Sequence, residues 1–201
     1  MNTNVIIESH RGYDLVKPED KLLSSRMIFF TEEVTPTSSV ELIELLLHLE
    51  SEDPDKEITL LINSPGGEVN SGLGVYDAIR GLKCPVRTVC IGTAASMGSI
   101  LFVAGDKREM LPHTQVMIHD PLVNGLSGAQ KALALEKEAE KLMKTREVIA
   151  GIIAERTGHT LEEVYEKTKD DCYMDAQECV SWNIATNITE TINRKDNDYE
   201  Q

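Results

Sequence analysis

Hydrophobic and polar positions alternate between two patterns along this chain. Short uninterrupted apolar runs read as strands buried on both faces, and longer segments with apolar residues three or four apart read as helices. The first apolar run is Met27-Ile28-Phe29-Phe30. After it, Leu42, Leu46 and Leu49, with Ile43 and Leu47, repeat at helical spacing, and Ser38 with Glu41 forms a capping-box pattern before them. Charged residues 52–57 end that helix. A strand follows at 58–63, then a helix over 71–82, a strand at 86–91 and a small-residue helical run from Ser99 to Gly105. Another strand, Gln115 to Ile118, leads into His119. From about Gly128 to Arg156 the pattern is helical and free of proline, with Leu135, Ala139, Leu142, Ile149 and Ile153 mainly three or four apart. At 1.5 Å per residue it extends ~40 Å, more than a small domain can cover, so part of it is expected to meet another subunit. Thr157-Gly158 ends it, and a shorter helix starts at Thr160-Leu161-Glu162-Glu163.

Strands alternating with helices imply crossover units and a parallel sheet, an α/β fold. Residues 1–25 are polar and mixed and read as an irregular N-terminal arm. Residues 26–190 hold the folded domain, and 191–201 read as a flexible tail.

Composition narrows the function classes. The chain has 201 residues, of which 41% are hydrophobic but only 4% aromatic, so its core is aliphatic. A net charge of -14 argues against nucleic-acid partners, which need Lys and Arg. No apolar run approaches the ~20 residues that span a membrane, and the first residues lack the basic and apolar regions of a secretory signal. A cytoplasmic protein is expected. Its cysteines (Cys84, Cys90, Cys172 and Cys179) then stay reduced, and their spacing does not suggest zinc.

The candidate chemistry lies in two glycine-bearing turns. Gly92-Thr93-Ala94-Ala95-Ser96-Met97-Gly98 places a serine between a strand and a helix, where a hydroxyl can sit on a sharp turn. The helix N-terminus there offers unpaired N–H groups to an oxyanion. Ser64-Pro65-Gly66-Gly67 follows the neighbouring strand. Both turns lie at carboxyl ends of parallel strands, where such sheets form their sites. Gly67 and Met97 can each supply a backbone N–H. A serine nucleophile needs a base. Of the five histidines, only His119 stands at the end of an apolar strand; His10, His48, His113 and His159 lie in polar, exposed or turn contexts. For the acid that orients the histidine, Asp120, Asp170 and Asp171 all remain open, because spacing does not choose among them.

With these residues in view, the chain resembles the ClpP family of serine peptidases over about residues 20–190. The resemblance rests on five pieces in order: Ile62 to Gly67, Gly92 to Gly98, Val116 to Pro121, Glu155 to Gly158, and Asp171-Cys172-Tyr173-Met174. It implies Ser96 as nucleophile, His119 as general base, Asp171 as the acid, and Gly67 and Met97 as oxyanion donors. It also implies a crotonase-like ββα superhelix with a protruding handle helix, here about 128–157. Two stacked heptameric rings would enclose the active sites. An AAA+ unfoldase of the ClpX, ClpC or ClpA type would feed unfolded protein, with a ClpP paralogue as a further potential ring partner. No cofactor or metal is implied; ATP belongs to the unfoldase, and no P-loop occurs here.

The chain departs from the family pattern in several places. Asp120 stands where Gln is common, and Asp170 where Arg is common. Asn183 replaces a usual Gly. Residues 122–131 lack the Gly-Gln-rich handle sequence, and Lys17-Pro18-Glu19-Asp20 is less apolar than usual. Two other classes compete. One is a crotonase-fold acyl-CoA enzyme, which needs no Ser with His and Asp. The other is a non-enzymatic subunit of a mixed ring. A phage-type maturation protease or a signal peptide peptidase is a minor option.

Overall fold

The computed structural model describes residues 4–9, 12–122 and 131–192. The arm is not irregular. Strands β1 (Val5–Ser9) and β2 (Gly12–Val16) pair antiparallel, with Val5 opposite Val16, and helix α1 (Pro18–Leu23) follows. The hairpin escapes a pattern reading because neither face is covered: the paired Ile6 and Leu15 are exposed on one face and Val5 on the other. Without a buried face, no alternation is imposed on the sequence.

The body is one mostly parallel sheet with helices packed on it. Strand β3 (Met27–Phe30) pairs with β4 (Ile58–Ser64), and β4 with the long β5 (Val86–Ala95). Between them, α2 (Pro36–Glu52) and α3 (Val69–Gly81) make the crossovers. Helix α2 begins earlier than Ser38 and Glu41 suggest. Thr35 is its N-cap, exchanging bonds with Ser38, and Pro36 occupies the first turn. Proline has a preset φ and no N–H to satisfy, so the cap falls just before it. Leu42, Leu46 and Leu49 are buried as the spacing predicts, whereas Leu47 faces outward. Glu68 caps α3, accepting from the N–H groups of Asn70 and Ser71.

Strand β5 serves two neighbours. Its first half pairs with β6 (Lys107–Met110) and its end with β7 (Gln115–Ile118), all parallel. Between β5 and β6, all eight residues of α4 (Met97–Ala104) are buried. Helix α5 (Ala132–Thr157) is 26 residues long, and Gly158 ends it in the left-handed region. Its predicted start, 128–130, lies outside the described residues. Only its last turns (Ile149, Ala150, Ile153 and Thr157) are buried. Leu133, Leu135, Met143 and Val148 are exposed along the rest. Helix α6 (Leu161–Thr168) carries the expected start, with Thr160 and Glu163 in a capping box. Strand β8 (Cys172–Asp175) then returns antiparallel to β7, followed by α7 (Ala176–Ser181) and β9 (Asn187–Ile188), which pairs with β6. Of the tail, residues 193–201 lie outside the described residues.

Strand β6 has a polar sequence yet lies inside, because its charged side chains are ion-paired or hydrogen-bonded. Arg87 and Glu109, 2% and 1% exposed, meet at 2.6 Å. Arg87 also donates to the carbonyls of Thr191 and Ile192, fastening the C-terminal end of the domain. Asn183 adopts φ 54°, the left-handed backbone that a glycine takes at no cost and asparagine tolerates. Its side chain donates to Thr157 O at 2.7 Å. Cys84, Cys90 and Cys179 are buried free thiols; burial pushes the Cys179 thiol up to about 12, far from reactivity.

Two predictions follow from these contacts. Glu109→Ala leaves the Arg87 guanidinium buried without its counter-charge, a loss of about 3–5 kcal/mol. The unfolding midpoint, read by calorimetry, falls by roughly 10 °C. The hydrogen bonds that Glu68 accepts, those from Ser71 foremost, hold its carboxyl below the ordinary 4.5. A depressed carboxyl stabilises the fold fully above its unfolded value, and that contribution disappears as the pH drops through the lower folded value. The melting temperature of Glu68→Gln therefore lies below wild type at pH 7, and the gap narrows from pH 4.5 downward.

Candidate active site

Strand β5 does not stop at Ile91, where its apolar run ends. It continues to Ala95 and delivers Ser96 directly onto the first turn of α4. Ser96 is held at φ 51°, ψ -123°, a conformation that L side chains rarely adopt. Such strain costs of order 1–3 kcal/mol and persists only where surroundings enforce it. Here they do. The Ser96 N–H donates to Met117 O at 2.9 Å, and its carbonyl accepts from the Ser99 N–H and hydroxyl. The turn leaves the Ser96 hydroxyl free of any capping role, and it meets His119 Nε2 at 2.8 Å.

His119 is the residue after β7. Pairing of Ala95 with Met117 fixes its height beside Ser96. Its partner comes from β8. The antiparallel register pairs Ile118 with Cys172, so the next position sets His119 opposite Asp171. Asp171 Oδ1 stands 3.6 Å from His119 Nδ1. That separation is beyond a hydrogen bond but within ion-pair reach. The histidine is 12% exposed and the aspartate 64%. Of the three acids left open by the spacing, Asp171 is the one that meets the ring. Asp170 is exposed. Asp120 turns to other partners: Arg146 at 2.6 Å and the Thr168 hydroxyl at 2.8 Å. Its added charge is therefore matched by a guanidinium.

The turn after β4 wraps against the serine. Gly66 has φ 95° and Gly67 φ 148°, both in the region that favours glycine. Space enforces the same choice. A Cβ on Gly66 would lie 2.7 Å from Ser96 Cβ, and one on Gly67 would lie 2.2 Å from Val34 O. Val34 N–H donates to Gly66 O, and Glu68 N–H donates to Val34 O. This bridge uses the groups on either side of Gly67 and directs the Gly67 N–H away from Val34. Met97 opens α4, so its N–H belongs to the first helical turn, whose donors have no intrahelical acceptor. Val34 carries no signal in the sequence; its role depends on a long-range bridge.

Ser96, His119, Asp171, Gly67 and Met97 all line one cleft of about 530 Å³. Its other walls are largely apolar, with Val69, Ile100, Ile149, Ile153 and Leu122 among them. Among the described residues no three His, Cys, Asp or Glu side chains gather as a metal set, and no helix is long and apolar enough to cross a membrane. The arrangement suits acyl transfer: a hydroxyl in hydrogen-bond contact with an imidazole, and backbone donors beside a strained turn.

Comparison with known families gives the same direction independently. The family model described as Clp protease matches residues 9–192. It spans both glycine turns, the histidine strand and the β8 segment, and so takes in the whole cleft. With that match across most of its length, this chain belongs to the Clp protease family.

Proposed function

We propose that the chain is the proteolytic subunit of a self-compartmentalised serine protease, acting through Ser96, His119 and Asp171. The 2.8 Å contact between Ser96 Oγ and His119 Nε2 carries this reading. In the proposed cycle, Ser96 Oγ attacks a peptide carbonyl carbon while His119 Nε2 takes the hydroxyl proton. The carbonyl oxygen becomes an oxyanion facing the Gly67 and Met97 N–H groups. His119 then protonates the leaving amine, which departs and leaves an acyl ester on Ser96. Water, deprotonated by His119, attacks the ester and releases the second product. Asp171 orients the ring and balances its transient charge.

The compartment belongs to the same reading. Helix α5 projects with Leu133, Leu135, Met143 and Val148 exposed, as expected for a handle joining two stacked heptameric rings. Apolar side chains left in this way favour burial against another copy. An AAA+ unfoldase of the ClpX, ClpC or ClpA type would deliver unfolded chains and consume the ATP. A second reading, a subunit active only with a paralogue in the ring, is favoured by the 3.6 Å between His119 and the exposed Asp171. A crotonase-type acyl-CoA enzyme is disfavoured, since it gives the Ser–His contact no task.

The purified chain, sized by chromatography, should elute as an assembly of two heptamers and cleave a small fluorogenic peptide. Ser96→Ala should abolish that cleavage and all labelling by a fluorophosphonate; undiminished labelling of the variant would overturn the assignment. Gly67→Ala pushes a methyl group against Val34 O and displaces one oxyanion donor. The expected drop in kcat is roughly 10²–10³-fold, measured per assembled particle.

A further inference from the structure

Asp120 links three elements around the base. Oδ2 accepts from Arg146 Nε on α5 at 2.6 Å, and Oδ1 accepts from the Thr168 hydroxyl at the end of α6 at 2.8 Å. Its own N–H donates to Thr168 O at 2.8 Å. The Arg146 guanidinium also lies 3.9 Å from the centre of the Tyr165 ring on α6. The pair is partly shielded, with Arg146 23% and Asp120 33% exposed. A charge-assisted bond of this length, with the guanidinium carbon lying over an aromatic face, is directional in a way that a solvated surface pair is not.

Its position in the chain gives the pair its consequence. Asp120 follows His119 directly, and Thr168 lies three residues before Asp171. The segment bearing the base and the segment bearing the acid are therefore tied through one carboxylate, and that carboxylate is anchored to α5. We infer that Asp120 and Arg146 are positioning residues: their ion pair sets the approach of Asp171 to His119 and passes the placement of α5 to the base. This rests on the hydrolase reading above. Neither residue lines the cleft, so neither is expected to contact substrate.

The test uses the full assembled protein. Asp120→Asn keeps an acceptor for Thr168 and removes the charge facing Arg146. Arg146→Met keeps the aliphatic stem and removes the guanidinium, and Arg146→Lys restores a cation without the fork. For each variant and for the Asp120→Asn, Arg146→Met double variant, kcat and KM are measured on a small peptide. Rates are divided by the serine titrated with a fluorophosphonate, so that misfolded protein does not count. Small misplacements of a catalytic group cost up to ~10²-fold, so the single variants should lose roughly 10–100-fold in kcat. KM should stay within about twofold, since binding contacts are untouched. The double variant should be no slower than the slower single variant, and Arg146→Lys should recover part of the loss. Unchanged kcat per titrated serine in both single variants overturns the inference, as do losses that simply multiply in the double variant. Wild-type protein that neither cleaves peptide nor takes the label overturns the hydrolase reading, and this inference with it. An active wild type with unaffected variants overturns the inference alone.

Discussion

Everything at the cleft depends on how closely the turn after β4 approaches the turn after β5. A Cβ on Gly66 would meet Ala95 O at 2.6 Å, and one on Gly98 would meet Ser64 O at 2.9 Å. The two turns approach too closely for a side chain at either glycine. Ser64 secures the arrangement by donating its hydroxyl to Glu32 O at 2.6 Å. Because α4 is buried along its whole length, the strained Ser96 cannot relax without moving the centre of the core. The strain at the serine is thus balanced by packing that most of the domain shares.

That constraint explains which features were legible in the sequence. The glycines at 66, 67 and 98 are there because backbone contact excludes side chains, so the motif records the geometry. The buried strands β4 and β5 were legible for a related reason: both faces are covered, and so almost every position is apolar. His119 could be chosen among five histidines because it ends an apolar strand. The acid could not be chosen by spacing. Asp171 is brought opposite His119 by the β7–β8 register, a pairing of residues more than fifty positions apart, and the four-residue β8 carries little pattern of its own. Family resemblance singled it out, and the register supplies the physical reason.

Other features were misread or hidden for reasons equally local. The N-terminal hairpin has no covered face, so nothing obliged its residues to alternate. Strand β6 reads as polar because its buried positions hold Arg108 and Glu109. Arg108 donates to the carbonyls of Asn183 and Ile184, and Glu109 pairs with Arg87. A charge pattern cannot reveal that these groups find partners distant in sequence. Asp120 is a similar case. In the sequence it was an added negative charge beside the base; in the fold it belongs to Arg146 and Thr168.

The site therefore divides into two parts of unequal support. Ser96, Gly67 and Met97 are fixed by the centre of the sheet, through strands and a helix that are buried on all sides. His119 and Asp171 lie at the sheet margin, just after β7 and just before the short β8, with the aspartate mostly exposed. The flanking strands carry core residues (Val116, Ile118 and Met174), while α5 and α6 reach the pair through Arg146 and Thr168. Helix α5 is itself buried only in its last turns and carries exposed apolar residues over the remainder. The division suits the serine-hydrolase reading proposed above. On that reading the nucleophile and oxyanion donors are held by the core, while the proton-transfer pair, the part most sensitive to small displacements, takes its placement from the sheet margin.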